Sequence, residues 1–189
     1  MTSVLDDDLY WRFSLAVYQR QGVAQSCLAL QADIALDVNV LLMALLAARW
    51  HRRPIDRAEV ALADARVRSW REEIVVPLRA IRSRLKAGPP PAPDPRTDAL
   101  RNDVKTTELK AEQIEQWVLG AWVDTLAPAA VSSTSAPLDN CLGTVRNVMD
   151  FYRAHVPAHG LPAELQNQAR MIASASADVS MPVSAMKRV

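Results

Sequence analysis

Residues 57–87, RAEVALADARVRSWREEIVVPLRAIRSRLKA, decide the fold class. Within them Val60, Val67, Trp70, Ile74, Leu78, Ile81 and Leu85 recur at spacings of seven, three, four, four, three and four residues. A helix turns once in about 3.6 residues, so these side chains stack along one face, whereas a strand would need apolar residues at alternate positions. The spacing predicts one long amphipathic helix. Pro77 has no amide hydrogen to donate and its ring crowds the preceding turn, which predicts a bend; the seam running on to Leu85 predicts that the helix continues past it.

The segments on the N-terminal side follow the same period. Residues 40–48 read VLLMALLAA, roughly half of the 20 or so residues a membrane crossing needs, and so predict a buried core helix. Asp37 is placed to cap it, Val38, Leu41, Leu42, Leu45 and Leu46 form its inner face, and the basic turn Arg49-Trp50-His51-Arg52-Arg53-Pro54 is expected to face solvent. Val23, Cys27, Leu30 and Ile34 give one narrow seam before it, with Leu28 beside it. A first helix, from about Asp7 to Gln19, is apolar over most of its circumference and is expected to be central, with Gly22 supplying the left-handed position that ends it.

On the C-terminal side, Gly88-Pro89-Pro90-Pro91-Ala92-Pro93-Asp94-Pro95 is incompatible with a helix, and its fixed φ values predict an extended polyproline-like spacer. Beyond it Leu100, Val104, Thr107, Ala111, Ile114, Val118 and Ala121 predict a helix over about Thr97–Leu126, its apolar face widened by Trp117 and Trp122. Residues 127–136 read as a loop, and Pro137 suits the first turn of a helix carrying Leu138, Cys141, Leu142, Val145, Val148, Met149 and Tyr152 on one side. A break at 157–162, a short helix from Pro162 to about Ala175 and a loose tail complete the chain. The expectation is an all-α bundle of six or seven helices with a Pro-rich linker after the fourth. In residue numbers this means a core over 1–87, a linker over 88–96, later helices over 97–178 packing on the same core, and a tail over 179–189.

Half of the residues are apolar and only five are Gly, a composition that favours helices over sheets. Cys27 and Cys141 fall on apolar faces and read as reduced core residues. Residues 1–8, MTSVLDDD, lack the basic and apolar regions of a signal peptide, and cytoplasmic residence is expected. Net charge is +1, yet eleven Arg or Lys stand against five Asp or Glu between Arg49 and Lys86.

The ordered set Trp11-Arg12-Phe13-Ser14-Leu15, Tyr18, Gly22-Val23, Cys27-Leu28-Ala29-Leu30-Gln31 and Asp37-Val38-Asn39-Val40-Leu41-Leu42, continued by Trp70 and Val75-Val76-Pro77-Leu78-Arg79-Ala80-Ile81-Arg82, resembles an uncharacterised proteobacterial family of small helical proteins, a domain of unknown function. The resemblance covers about residues 9–86. It implies a cytoplasmic helical bundle and carries over no activity, substrate or catalytic residue. Where that family has an aromatic-rich stretch after the Asp-Val-Asn element, this chain has Met43, Ala44, Leu45 and Leu46.

No G-x-S-x-G elbow, phosphate-binding Gly loop, H-E-x-x-H helix or Cys-x-x-Cys pair is present. His155 and His159 are four apart, but Pro157 between them opposes the helical geometry that would bring both rings to one metal. No catalytic residue, metal or cofactor is expected. The polar residues Gln31, Asp37 and Asn39 stand among apolar neighbours; as structural groups, Asp37 and Asn39 would start a helix and Gln31 would bond across helices. The functional alternative is a cleft in which Asp37, Asn39, Trp70, Arg79 and Arg82 bind a small ligand or a peptide end, with Arg79 and Arg82 as anion-pairing groups. The Arg-rich helix could lie along a nucleic-acid backbone, although Asp64 is spaced to pair with Arg68 and dilute that face. The leading functional expectation is a non-catalytic cytoplasmic adaptor whose partner is another protein. The alternatives are an enzyme or binding protein for a small anionic metabolite, and weak nucleic-acid binding; no membrane partner is expected.

Overall fold

A helix that is apolar all round can leave water only by being surrounded, and α3 (Val38–His51) is: every side chain from Asn39 to Ala48 is buried. The computed structural model describes residues 9–129, 135–153 and 163–180. Around α3 lie α1 (Leu9–Tyr18), α2 (Val23–Ile34), α4 (Arg57–Trp70), α6 (Pro95–Val123), α7 (Pro137–Arg153) and α8 (Ala163–Asp178), each in contact with it. The chain is all-α over the described residues. Helix α4 continues through a π-turn (Arg71–Val75) into α5 (Val76–Ala87), so the described residues hold seven helical bodies and no strand. His155, His159 and the expected break at 157–162 lie outside the described residues, as does most of the expected tail.

Several helices start where side chains can satisfy the free amides of a first turn. Asp37 Oδ1 accepts from the amides of Asn39 at 2.7 Å and Val40 at 3.1 Å, and Asp56 forms a reciprocal capping box with Glu59. Gly22 adopts φ 79° between α1 and α2, and a side chain there would meet the Met171 sulfur at 2.5 Å. Pro77 is accommodated one turn ahead of itself: in the π-turn the Val76 amide donates to the Arg71 carbonyl, five residues back, and the helix continues to Ala87.

Four expectations are corrected. Helix α1 is peripheral, burying only Phe13, Ser14 and Val17, because α3 takes the centre. The stretch from Gly88 to Asp94 is a tight turn rather than an extended spacer: the Ala92 amide donates to the Pro89 carbonyl at 3.0 Å, Gly88 takes φ 116°, and Asp94 caps α6. Proline's fixed φ suits a turn as well as an extended segment, and here it folds α5 back on α6 as an antiparallel hairpin.

The basic turn after α3 is largely structural. Arg49 donates to the carbonyls of Ser176 and Ala177 at the end of α8, Arg53 pairs with Glu59 at 2.6 Å, and buried His51 shares a hydrogen bond with the Val123 carbonyl at 2.9 Å. Burial holds the His51 imidazole below its ordinary value. Finally, α6 is turned about one residue from the expected seam: Glu108, Ala111, Glu115, Gln116, Leu119 and Trp122 are buried, while Leu100, Thr107 and Trp117 are exposed. Its inner face carries acids that apolar periodicity cannot register.

Cys27 and Cys141 are free and buried, and burial pushes their thiols up to about 12 and about 11. Among the described residues no single helix is long and apolar enough to cross a membrane; α2 and α3 reach that length and composition only as a pair bent by 119°.

Candidate functional site: a buried polar seam on α6

Positions 108, 111, 112, 115 and 116 recur at helical spacing, and this stripe of α6 meets all five residues singled out in the sequence. Arg79 donates to Glu108 at 3.1 Å and to Glu112 at 2.8 Å. Arg82 reaches both carboxylate oxygens of Glu108. The Trp70 indole donates to the Ala111 carbonyl at 3.0 Å. Asn39 donates through its side chain to Glu115 at 2.9 Å and accepts from Gln116 at 2.8 Å. Asp37 lies beside Glu115.

These residues form two groups rather than one cleft. Arg79 and Arg82 pin α5 to α6. Asp37 and Asn39 belong to a second cluster whose centre is Arg71, which the sequence reading missed. Arg71 Nη1 stands 2.8 Å from Asp37 and 2.8 Å from Asp64. Asp64 also accepts from the Tyr152 hydroxyl at 2.7 Å and from Arg68 at 2.6 Å, so the expected Asp64–Arg68 pair is present as one edge of a larger network. Gln31, by contrast, forms no side-chain hydrogen bond among the described residues. The visible signal for the missed acids Glu108 and Glu112 is a pair of facing stripes: these two glutamates, four apart, against Arg79 and Arg82, three apart.

Burial and pairing compete at each group. Burial alone would drive Arg71 toward neutrality, but the Asp37 carboxylate and then Asp64 outweigh it, and the guanidinium is held more firmly charged than usual. Asp64 is pushed up by burial and pulled further down by its bonds from Tyr152, Arg68 and Arg71, ending below the carboxylate range. Glu108 is likewise raised by burial and lowered more by Arg82 and Arg79. Glu112 goes the other way, because burial exceeds the attraction of Arg79. Glu115, 1% exposed, is pushed up to about 9 by burial and by the neighbouring Asp37 charge. The shift favours its protonated form, and its side chain bridges α6 to the start of α3 through Asn39. Burial and the two aspartates raise the Tyr152 phenol, which stays protonated as a donor.

Each guanidinium of the seam is matched to a carboxylate, so the arrangement holds helices together before it offers charge to a ligand. Among the described residues no group of three or more His, Cys, Asp or Glu is placed to hold a metal ion.

A family model described as "Protein of unknown function (DUF2390)" matches residues 9–119. The chain belongs to the DUF2390 family. The match runs beyond Lys86, where the resemblance read from the sequence stopped, and takes in α6 as far as Leu119. It therefore contains every member of the polar seam except Tyr152, so the paired stripes on α5 and α6 lie within the DUF2390 region. No curated protein and no solved structure matches the chain.

Proposed function

We propose that this chain is a non-catalytic cytoplasmic protein-interaction module, an adaptor that presents the hairpin of α5 and residues 95–110 of α6 to a protein partner. The observation that carries this reading is a contrast along one continuous helix. Helix α4 buries Val60, Ala63, Asp64 and Val67, whereas no residue of α5 is buried and Ile81 is 50% exposed. Ile74 stands open just before it and Val76 at its first position, and Leu109 stands open across the hairpin, level with Ile81 by the Arg82–Glu108 pairing. Apolar seams of this kind are covered when another helix packs on them. The ion pairs from Arg79 and Arg82 to Glu108 fix the hairpin's shape, which lowers the entropic cost of docking.

A small-anion site at Asp37, Asn39, Trp70, Arg79 and Arg82 has less behind it, because the two arginines are already matched by carboxylates. Nucleic-acid binding would rest on Arg84 and Lys86, which share α5 and its approach with Glu72 and Glu73.

A photo-crosslinking residue in place of Ile81, compared with one in place of Leu28, tests the reading in cells. Leu28 is an equally open side chain on α2. The expected result is a discrete protein adduct from position 81 and none from position 28. No adduct at position 81, or the same adducts from both, would overturn it.

A further inference from the structure

Arg49 and Arg52, at the end of α3, are guanidiniums without a carboxylate. Among the described residues neither enters an ion pair: Arg49 gives its Nη1 to the carbonyls of Ser176 and Ala177, which fix the group without neutralising it, and the Arg52 side chain is exposed and bonds to nothing in its own chain. Both line a recess of about 80 Å³ between the end of α3 and the start of α7, walled otherwise by Ala48, Ser135, Pro137 and Asn140. Asn140 is only 3% exposed; its backbone amide donates to Ala136 and its carbonyl accepts from Thr144, but its side-chain amide meets no partner among the described residues. A buried amide left open in this way is completed by water or by a ligand. The helix ends oppose each other, α7 presenting its positive end and α3 its negative one, so the two full charges of Arg49 and Arg52 decide the sign of the recess. Asp139, in the same turn as Asn140, is exposed and stands outside the lining.

We propose that this recess is a binding site for a phosphate group, either the free ion or the end of a small phosphomonoester. Arg49 and Arg52 supply charged donors from the α3 side, the Asn140 side-chain amide supplies a neutral one from the α7 side, and the Ser135 hydroxyl stands beside them. Guanidiniums bind phosphate and carboxylate alike, but donors arriving from separate walls suit a tetrahedral group better than a planar one. Pockets for drug-sized ligands and cofactors begin at about 300 Å³, so the recess encloses the phosphate alone and the remainder of a phosphomonoester lies outside it, past exposed Arg52. The site shares no residue with the α5 hairpin or with the polar seam, and it stands or falls apart from the adaptor reading.

The test is nuclear magnetic resonance of the isotope-labelled full chain, titrated with inorganic phosphate at constant ionic strength and read on the Asn140 side-chain amide and the Arg52 Nε–H. Phosphate should shift both signals saturably, chloride should shift neither, and acetate should bind roughly tenfold more weakly or worse. Arg52→Gly removes one charged donor and should weaken phosphate binding roughly tenfold or more. Because Arg52 takes φ 57°, which glycine adopts without penalty, this variant should unfold at or above the wild-type temperature, so its loss of binding is not a loss of fold. Asn140→Asp keeps the size of the side chain, sets a carboxylate against the anion and should abolish binding with the helical circular dichroism unchanged. Glycerol phosphate binding more tightly than inorganic phosphate assigns the site to a phosphomonoester, and the reverse order assigns it to the free ion. No saturable shift with phosphate, equal shifts with chloride, acetate binding as tightly, or an affinity untouched in Arg52→Gly would overturn the inference.

Discussion

One carboxylate, that of Asp37, caps α3 through Oδ1 and holds Arg71 through Oδ2 at 2.8 Å. The start of the central helix is thereby tied to the π-turn between α4 and α5, and through Glu115 to α6. A π-turn displaces one residue from the α-helical register, and Arg71 opens that turn, between Asp37 and Asp64. The local irregularity is thus joined to the polar network.

The two roles of Asp37 separate by substitution. Asp37→Asn keeps an acceptor for the α3 amides but removes the charge facing Arg71, whereas Asp37→Ala removes both. The alanine variant should be the less stable of the two by about 1 kcal/mol, the usual worth of a side-chain cap. Urea denaturation of both variants measures the difference, and equal midpoints would show that the cap contributes nothing here.

Arg71 should matter far more than Arg68, although both contact Asp64. The Arg71 side chain is 18% exposed and compensates two buried aspartates; that of Arg68 is 52% exposed and supports one. Removing a partner from a buried pair costs about 3–5 kcal/mol, and from an exposed pair less than about 1. Thermal unfolding of Arg71→Met and Arg68→Met should show a large and a small loss respectively, and similar losses would contradict the network.

The course of the chain was legible wherever apolar spacing and capping chemistry agreed. VLLMALLAA could only be surrounded, and Asp37 before it was placed to cap. The face of α6 was not legible, because Glu108 and Glu115 are buried through partners on α5 and α3, and periodicity counts grease rather than pairing. Helix α1 failed for the opposite reason: its apolar residues exceed what one side of the bundle can cover, and Leu15 and Ala16 remain exposed. The turn at Gly88–Asp94 was misread because proline's φ belongs equally to turns and extended segments. Of the candidate site, the five residues all meet α6 but in two separate groups, and Arg71, which links Asp37 to Asp64, has no signature until the chain is folded.

Close approach between α1 and α6 depends on Gly120. A Cβ there would lie 2.2 Å from the Tyr10 ring, whose hydroxyl also donates to Asp124 at 2.9 Å. Replacing glycine inside a helix by alanine ordinarily stabilises by about 1 kcal/mol, but the overlap should reverse the sign and destabilise by about 1–3 kcal/mol. Combining Gly120→Ala with Tyr10→Ala removes the obstruction, so the double variant should lose less than the sum of the singles. Strict additivity in a thermodynamic cycle would show that the contact carries no strain.

Glu115 predicts the pH dependence. Its carboxyl is raised to about 9 in the folded protein against 4.5 as the ordinary value, so between these the folded state holds a proton that the unfolded chain has released. Stability from this group is therefore fully present below about 4.5 and falls as pH rises toward 9. The other shifted groups separate from it: Glu59, Asp64 and Glu108 are lowered and act in acid, and His51 is lowered and adds stability with rising pH only up to 6.5. The thiols, with ordinary values of 9.0, act above that. Glu112, also raised, adds in the same direction as Glu115 but is held closer to its usual range by Arg79. Chemical denaturation at pH 7 and pH 9 should then show the wild type losing stability and Glu115→Gln, which keeps an acceptor for Asn39 and cannot ionise, losing distinctly less. Parallel losses in the two proteins would mean that Glu115 is already ionised at pH 7.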